Sequence, residues 1–283
     1  MEIIRTPAEM TAWANRALGA GRTIGLVPTM GFFHEGHLCL MRKAREKAGC
    51  TVVSLFVNPI QFGANEDLGR YPRDFSRDCQ LAQAEGVDVI FAPEAHDMYS
   101  TEACTRVIVS AGLTDLLCGK SRPGHFAGVT TVVAKLFHII KPHLAVFGRK
   151  DFQQLAVIER MVADLNWDVE IIAHPIVREP DGLAMSSRNT YLSAPEHQAA
   201  LCLSRAIAHA RRRVRDGLVE AKVLLGEVEA LLQQEAVTIE YASIVDQATL
   251  RPQAVLQRGA VLAMAIKVGA TRLIDNDNLF EEY

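Results

Sequence analysis

Thr23-Ile-Gly-Leu-Val-Pro-Thr-Met-Gly-Phe-Phe-His-Glu-Gly-His37 is the stretch whose reading decides the fold. Ile24 to Val27 form an apolar, strand-like run, and Pro28, which cannot donate to a sheet ladder, is expected to end it. Two glycines, Gly31 and Gly36, stand among two histidines, His34 and His37, and a helix is expected over roughly 38–48. Strand, glycine-bearing turn and helix start, in that order, build an anion site. The first N–H groups of a helix lack intrahelical partners, and the helix dipole adds partial positive charge there. Glycine lets main chain approach a phosphate closely, and imidazoles three residues apart can face it together. The turn is therefore expected to be the floor of a nucleotide site, with unpaired main-chain donors gathering phosphate.

Working outward, Thr6-Pro-Ala-Glu9 has the capping residue, proline and glutamate of a helix start, and that helix should close at Gly19 or Gly21. Apolar strands are expected at 51–57, 87–91, 144–147 and 169–173, with a further one at 105–109. Helices are expected between them near 75–85, 130–140 and 152–165. Short apolar strands alternating with helices predict an α/β fold, a parallel sheet covered on both faces. Ligands on such sheets sit beyond the carboxyl ends of the strands, where His34, Asn58 and Gly148 fall. Near residue 176 the pattern breaks, and a capping box at Ser193-Ala-Pro-Glu196 opens a helix to about Asp216. A helix over 219–235 and strands at 239–245, 260–266 and 271–275 complete a smaller α+β unit. The expected division is 1–176 and 177–283.

Composition narrows the function. The 283 residues carry 30 Lys+Arg against 33 Asp+Glu, a net −3, which argues against nucleic acid as a partner. The basic run Arg211-Arg-Arg-Val-Arg215 lies at a helix C-terminus, where cations are favourable anyway, and reads as a solvated face. No run approaches a membrane span, and Met1-Glu-Ile-Ile-Arg5 is not a signal-peptide start. The six cysteines are scattered without a C-x-x-C pair, as reduced thiols would be, so a cytoplasmic protein is expected.

His34-Glu-Gly-His37 could ligate a metal, sit as two unrelated histidines or touch phosphate. The zinc pattern H-E-x-x-H needs its histidines one position further apart, and the preceding strand and glycines favour phosphate. Phe147-Gly-Arg-Lys-Asp151 repeats the logic of strand end, glycine and cation, although alone it reads better as a capped helix with solvated Arg149 and Lys150. Met185-Ser-Ser-Arg-Asn189 places hydroxyls and a guanidinium where they could close over a triphosphate, or is simply a polar linker. Gln61 and the pair Gln153-Gln154 are amides suited to a hydroxy acid.

Together these stretches resemble the pantoate–β-alanine ligase family of the HIGH-type nucleotidyltransferase superfamily. The likeness runs through Val27-Pro-Thr-Met-Gly-x-x-His-Glu-Gly-His37, Phe56-Val-Asn-Pro-x-Gln-Phe62 and Arg70-Tyr-Pro-Arg73. It continues through Ser121-Arg-Pro-Gly-His-Phe126, Lys150-Asp-x-Gln-Gln154, Asp181-Gly-Leu-Ala-Met-Ser-Ser-Arg-Asn189 and Arg272-Leu-Ile-Asp-Asn276, almost the whole chain. The resemblance implies that ATP and pantoate form a pantoyl adenylate, which β-alanine converts to pantothenate and AMP. It implies that Met30, Gly31, Phe32, Phe33, His34, Glu35, Gly36 and His37 contact ATP, with His34 and His37 at the phosphates and His37 as proton donor or charge stabiliser. Gly148, Arg149, Lys150, Asp151, Val177, Met185, Ser186, Ser187 and Arg188 would complete the ATP site, Lys150 and Arg188 steadying the departing charge. Gln61 and Gln154 would hold pantoate, Gln61 also lying near β-alanine. The resemblance also implies magnesium, held mainly through the ATP phosphates, and no protein ligand is assigned to it. The family is typically a homodimer, with a Rossmann-like ATP- and pantoate-binding domain and a mobile lid.

Two positions depart from the family pattern: Arg149 replaces a usual glutamate, and Ala127 a common arginine. They are the only support for a catalytically silent ATP-binding regulator, which would bind ATP without turnover. A nucleotidyltransferase that stops at an adenylylated product is the other alternative, and β-alanine-dependent AMP release separates it from the ligase.

Overall fold

The computed structural model describes residues 1–281 apart from Asn65 and Ala111; Glu282 and Tyr283, the end of the expected second domain, lie outside the described residues. The chain forms two compact units. One comprises Met1–Val109, Arg122–Arg149 and Val157–His174, the other Ser110–Ser121, Lys150–Ala156 and the chain from Pro175 onward.

In chain order the elements begin with β1 (Glu2–Ile4), α1 (Pro7–Gly19), β2 (Ile24–Thr29), α2 (Glu35–Lys47), β3 (Cys50–Leu55), α3 (Phe75–Ala84), β4 (Val89–Phe91) and the single turn α4 (Ala95–Met98). There follow α5 (Leu117–Ser121), in the second unit, then α6 (His125–Ile140), β5 (Leu144–Gly148), α7 (Phe152–Asp164) and β6 (Glu170–His174). The strands of the first unit make one sheet in the order β1-β4-β3-β2-β5-β6, and every pair is parallel. Its strands are buried, as a sheet covered by helices requires: Ile24, Leu26, Val27, Val52 and Val53 are all fully buried. Val27, Phe33, Met41, Val53, Ile90 and Val146 join the sheet to α2 in one core. Connections run from β2 one way to β3 and, later in the chain, the other way to β5. The loop after β2 therefore opens at the point where strand order reverses, the usual place for a ligand crevice.

Several expectations are corrected. Pro28 does not end its strand, for β2 continues to Thr29 with Pro28 opposite Ser54. Odd residues of β2 face β3, as Cys50 N donating to Thr23 O and Phe56 N to Thr29 O show, and even residues face β5, where His143 N donates to Ile24 O. Pro28 thus turns its missing donor toward β5, with which pairing has already stopped at Leu26. Residues 105–109 are not a strand: Val107 N bonds Thr131 Oγ1 at 3.1 Å, and its carbonyl takes Thr130 Oγ1 at 2.6 Å. Hydroxyls of α6 satisfy that main chain in place of a ladder. Edge strand β1 escaped the sequence reading because three residues carry no periodicity.

The second unit adds α8 (Ala194–Ala200), α9 (Cys202–Arg215), α10 (Ala221–Leu232), β7 (Thr238–Asp246), β8 (Ala260–Val268) and β9 (Thr271–Asn278). Its sheet is antiparallel, β7-β8-β9, against which Leu203, Ile207, Leu224 and Val228 pack with Leu262, Met264 and Ile266. The helix expected from 193 to 216 is broken at Leu201, whose N–H bonds Gln198 O three residues back and so resets the helical phase. The basic run is only partly a solvated face. Arg211 pairs with Asp277, and Arg213 forks onto Glu227.

Candidate active site

In the first unit the turn after β2 is held from outside. Gly31 has φ +91° and Phe32 φ +54°, a left-handed pair that a bulky aromatic adopts only when its surroundings impose it. Asp78, on α3 and 1% exposed, imposes it: Oδ2 accepts from Phe32 N and Oδ1 from Phe33 N, both at 2.7 Å. Arg77 donates to Phe33 O at 2.9 Å, with its guanidinium 5.5 Å from the centre of the Phe32 ring. Burial pushes the Asp78 carboxyl above the ordinary range, while the Phe33 and Phe32 N–H groups pull it back. Gly31 N bonds Thr29 Oγ1, and His34 N bonds His37 Nδ1, each at 3.3 Å. The expected free donors of the glycine turn are therefore already engaged. That expectation is corrected: the N–H groups that the helix itself cannot satisfy belong to Glu35 and Gly36, the first residues of α2.

Helix α2 starts at Glu35, earlier than the expected 38, so that His34 is its cap and His37 lies in its first turn. The two imidazoles are 4.1 Å apart at their centroids. Because His37 Nδ1 accepts from the main chain, the neutral ring carries its proton on Nε2. The Glu35 side chain turns to Arg42, 2.5 Å away, which also binds Glu85. Arg42 holds the Glu35 carboxyl below its usual range, and that side chain does not compete for an anion at the helix start.

Gln61 ends a turn of 3₁₀ helix, Pro59–Gln61, and its amide is oriented by a buried chain of hydrogen bonds. Asn58, 1% exposed, donates through Nδ2 to Gln61 Oε1 at 3.0 Å and to Gly128 O at 3.1 Å, and its Oδ1 accepts from Tyr99 OH at 2.9 Å. Gln61 Nε2 faces Met30 Sδ at 3.4 Å. Burial pushes the Tyr99 phenol up to about 12, keeping it a donor. The structure thus brings Met30 and Gln61 together in this unit, beside Asn58, which the sequence placed at the ligand end of the sheet, and Tyr99, which sequence reasoning did not single out.

In the second unit Lys150 and Asp151 lie in the turn that leads into α7. Asn276 Nδ2 fixes the Lys150 carbonyl at 2.8 Å, and buried Asp275 takes Arg178 in a fork at 2.7 and 3.0 Å. Burial, helped by Arg188, lowers the Lys150 ammonium below the ordinary lysine range, against Asp151 and Asp275. Met185 N donates to Val177 O at 3.0 Å, so two expected nucleotide contacts are neighbours. Ser186 Oγ caps the following turn by accepting from Arg188 N at 3.2 Å. Gln153 is spent inside the protein. Its Nε2 donates to Leu113 O and Leu116 O at 2.8 Å, and its Oε1 accepts from Cys118 N at 2.9 Å, which leaves Gln154 as the candidate amide. Among the described residues one group of three metal-capable side chains, Glu179, Asp181 and His197, gathers within 4.8 Å, but His197 already pairs with Asp181 and Asn189 with Glu179.

Comparison with known proteins agrees with this layout. The chain matches the pantoate-beta-alanine ligase family profile over residues 2–278. It is 55% identical over 283 residues to a pantothenate synthetase of Geobacter sulfurreducens, covering all of both chains. A crystal structure of pantothenate synthetase from Thermus thermophilus superposes with a TM-score of 0.95 at 44% identity, over 99% of this chain and 100% of that one. The pantoate-beta-alanine ligase of Francisella tularensis, described as complexed with beta-gamma ATP and beta-alanine, gives 0.82 at 32% identity over 100% and 99%. Profile, identity and superposition all span essentially the whole length, and the chain belongs to the pantoate–β-alanine ligase family.

Proposed function

We propose that this chain joins pantoate to β-alanine at the expense of ATP, giving pantothenate, AMP and pyrophosphate. The observation that carries the reading is the His34–His37 pair on the first turn of α2, directly beyond the central strand of a parallel sheet. A carboxylate oxygen of pantoate bonds to the α-phosphorus of ATP, and pyrophosphate leaves with the electrons of the broken P–O bond. The amine of β-alanine then attacks the acyl carbon, AMP departs and the amine loses a proton. No covalent enzyme intermediate is needed, so rate comes from positioning and charge stabilisation.

Within the first unit, residues 30–37 take the nucleotide, with the Glu35 and Gly36 N–H groups and His34 directed to phosphate. His37 Nε2–H serves as donor to the charge that builds on the leaving group. Gln61 holds pantoate near the incoming β-alanine. Within the second unit, Lys150 and Arg188 neutralise pyrophosphate and Gln154 holds pantoate; Gly148 and Arg149 of the first unit, with Lys150, Asp151, Val177 and Met185 to Ser187 of the second, complete the nucleotide contacts. ATP arrives with Mg2+ carried on its phosphates. Residues 1–176 act as the ATP- and pantoate-binding domain, 177–283 as a mobile lid, in a cytoplasmic homodimer. Among the described residues no helix is long and apolar enough to cross a membrane.

Incubation with ATP and pantoate, with and without β-alanine, tests the reaction. Multiple-turnover AMP release that requires both substrates supports it. Steady accumulation of a free adenylylated product without β-alanine overturns it.

A further inference from the structure

The turn carrying Gln61 is tied to the start of α6 by a charged cluster to which the roles above assign nothing. Arg122 Nε lies 2.7 Å from Glu66 Oε1 and Nη2 lies 2.6 Å from Oε2, a fork-to-fork pair. Arg122 Nη1 meets His125 Nε2 at 2.9 Å, and Nδ1 of the same ring lies 2.9 Å from Gln61 O. A carbonyl only accepts, so Nδ1 carries the ring proton and Nε2 accepts from the guanidinium. Arg122 Nη2 also lies 3.5 Å from Gln61 O. The guanidinium is thus fixed on one side by ring and main chain, and its outward fork is filled by a carboxylate from a loop. Both partners are largely shielded, at 16% and 24% exposure.

We propose that Arg122 is the seat for the carboxylate of the amino-acid substrate, and that Glu66 is an internal placeholder which that substrate displaces. The inference rests on the ligase reading above. Two substrate carboxylates take part in that reaction, and their needs are opposite. The carboxylate of pantoate must remain nucleophilic, and a bidentate guanidinium would draw off the charge it uses. The carboxylate of β-alanine makes and breaks no bond and serves only as a handle two methylenes from the attacking amine. A rigid planar fork suits such a handle. Arg122 contacts the main chain of Gln61, whose amide is the proposed holder of the acyl partner, so handle and acyl group would be neighbours. A purely structural ion pair would steady the loop and affect every substrate alike. A seat acts on one substrate only, and only through its charge.

The test compares β-alanine with its neutral amide, β-alaninamide, in AMP release, alongside pantoate-dependent exchange of labelled pyrophosphate into ATP, which involves neither amine. In Arg122→Gln the KM for β-alanine should rise about 10- to 100-fold, and its preference over the amide should fall to about one, with exchange within about twofold. In Glu66→Gln the KM for β-alanine should drop about threefold or more, while that for the amide stays put. Arg122→Lys, which keeps charge but loses the fork, should fall between the unmodified protein and Arg122→Gln. Retained preference in Arg122→Gln overturns the proposal, as does an equal loss for both amines and for exchange. Should Arg122→Gln not fold, Glu66→Gln decides alone, and an equal KM change for both amines there overturns the proposal. No pantoate-dependent exchange in the unmodified protein overturns the ligase reading and this proposal with it, an outcome distinct from the others.

Discussion

Asp78 and Phe33 are 45 residues apart in sequence, yet the carboxylate of one lies 2.7 Å from the main-chain nitrogen of the other, and its second oxygen takes Phe32 N at the same distance. A buried anion thereby does inside the protein what an arriving phosphate was expected to do. It fixes a left-handed turn that Phe32 would not adopt unaided, and α2 starts at a defined place as a result.

Replacing Asp78 with asparagine keeps the shape and loses one acceptor, since the amide nitrogen would face an N–H group. Asp78→Asn should cost about 2–4 kcal/mol of stability and raise the KM for ATP more than that for β-alanine. Thermal unfolding and steady-state kinetics check both halves, and an unchanged ATP dependence would remove Asp78 from the upkeep of the nucleotide turn.

Gly128 sits where α6 meets the Gln61 turn. A Cβ there would lie 2.5 Å from Ile60 O and 2.6 Å from Gln61 Cα, and both contacts are backbone. Gly128→Ala should therefore displace Gln61, raising the KM for pantoate about tenfold with little change for ATP. Equal KM values for pantoate in the two proteins would show that the Gln61 amide does not hold that substrate.

His37 carries its neutral-ring proton on Nε2 because Nδ1 is spent on His34 N. His37→Ala should slow single-turnover adenylate formation about 10²- to 10³-fold while ATP affinity changes far less. Parallel losses in both quantities would reduce His37 to a binding contact.

Lys150 yields a pH prediction. Burial lowers its pKa, so the free enzyme loses this ammonium at lower pH than an ordinary lysine does. On the alkaline side, kcat/KM for ATP should fall with a midpoint below about 10.4, and Lys150→Met should erase that limb along with most activity. For stability the sign runs the other way: between the folded and unfolded pKa values the unfolded chain holds more protons, so Lys150 favours folding increasingly as pH rises through that window. A midpoint at or above that of free lysine would mean that the ammonium is not desolvated.

The parallel sheet was legible because Ile24 to Val27, Thr51 to Val57 and Leu144 to Phe147 are predominantly apolar runs without the polar alternation of a half-exposed strand, as a twice-covered strand needs. The histidine pair was legible because its glycines and strand are local. What stayed hidden depends on partners distant in the chain. Pro28 looked like a strand end because the side to which it turns its missing donor is set by β5, more than a hundred residues on. Gln153 looked like a ligand because its partners at Leu113, Leu116 and Cys118 lie in another segment. Asp78 did leave a trace. Phe75, Asp78, Cys79 and Ala82 share one helical face, and a carboxylate on an apolar stripe is a sign of a buried acceptor.

Strand β1 has a consequence for how the protein is made. Glu2 is in register with Val89, Glu2 N bonds Asp88 O, and Ala92 N bonds Ile4 O. A ribosome needs about 4–17 s to add the 87 residues that follow Glu2 up to and including Val89. Through that interval β1 lacks its strand neighbour β4, and the sheet can be sealed only by a segment that left the polypeptide tunnel long before its mate.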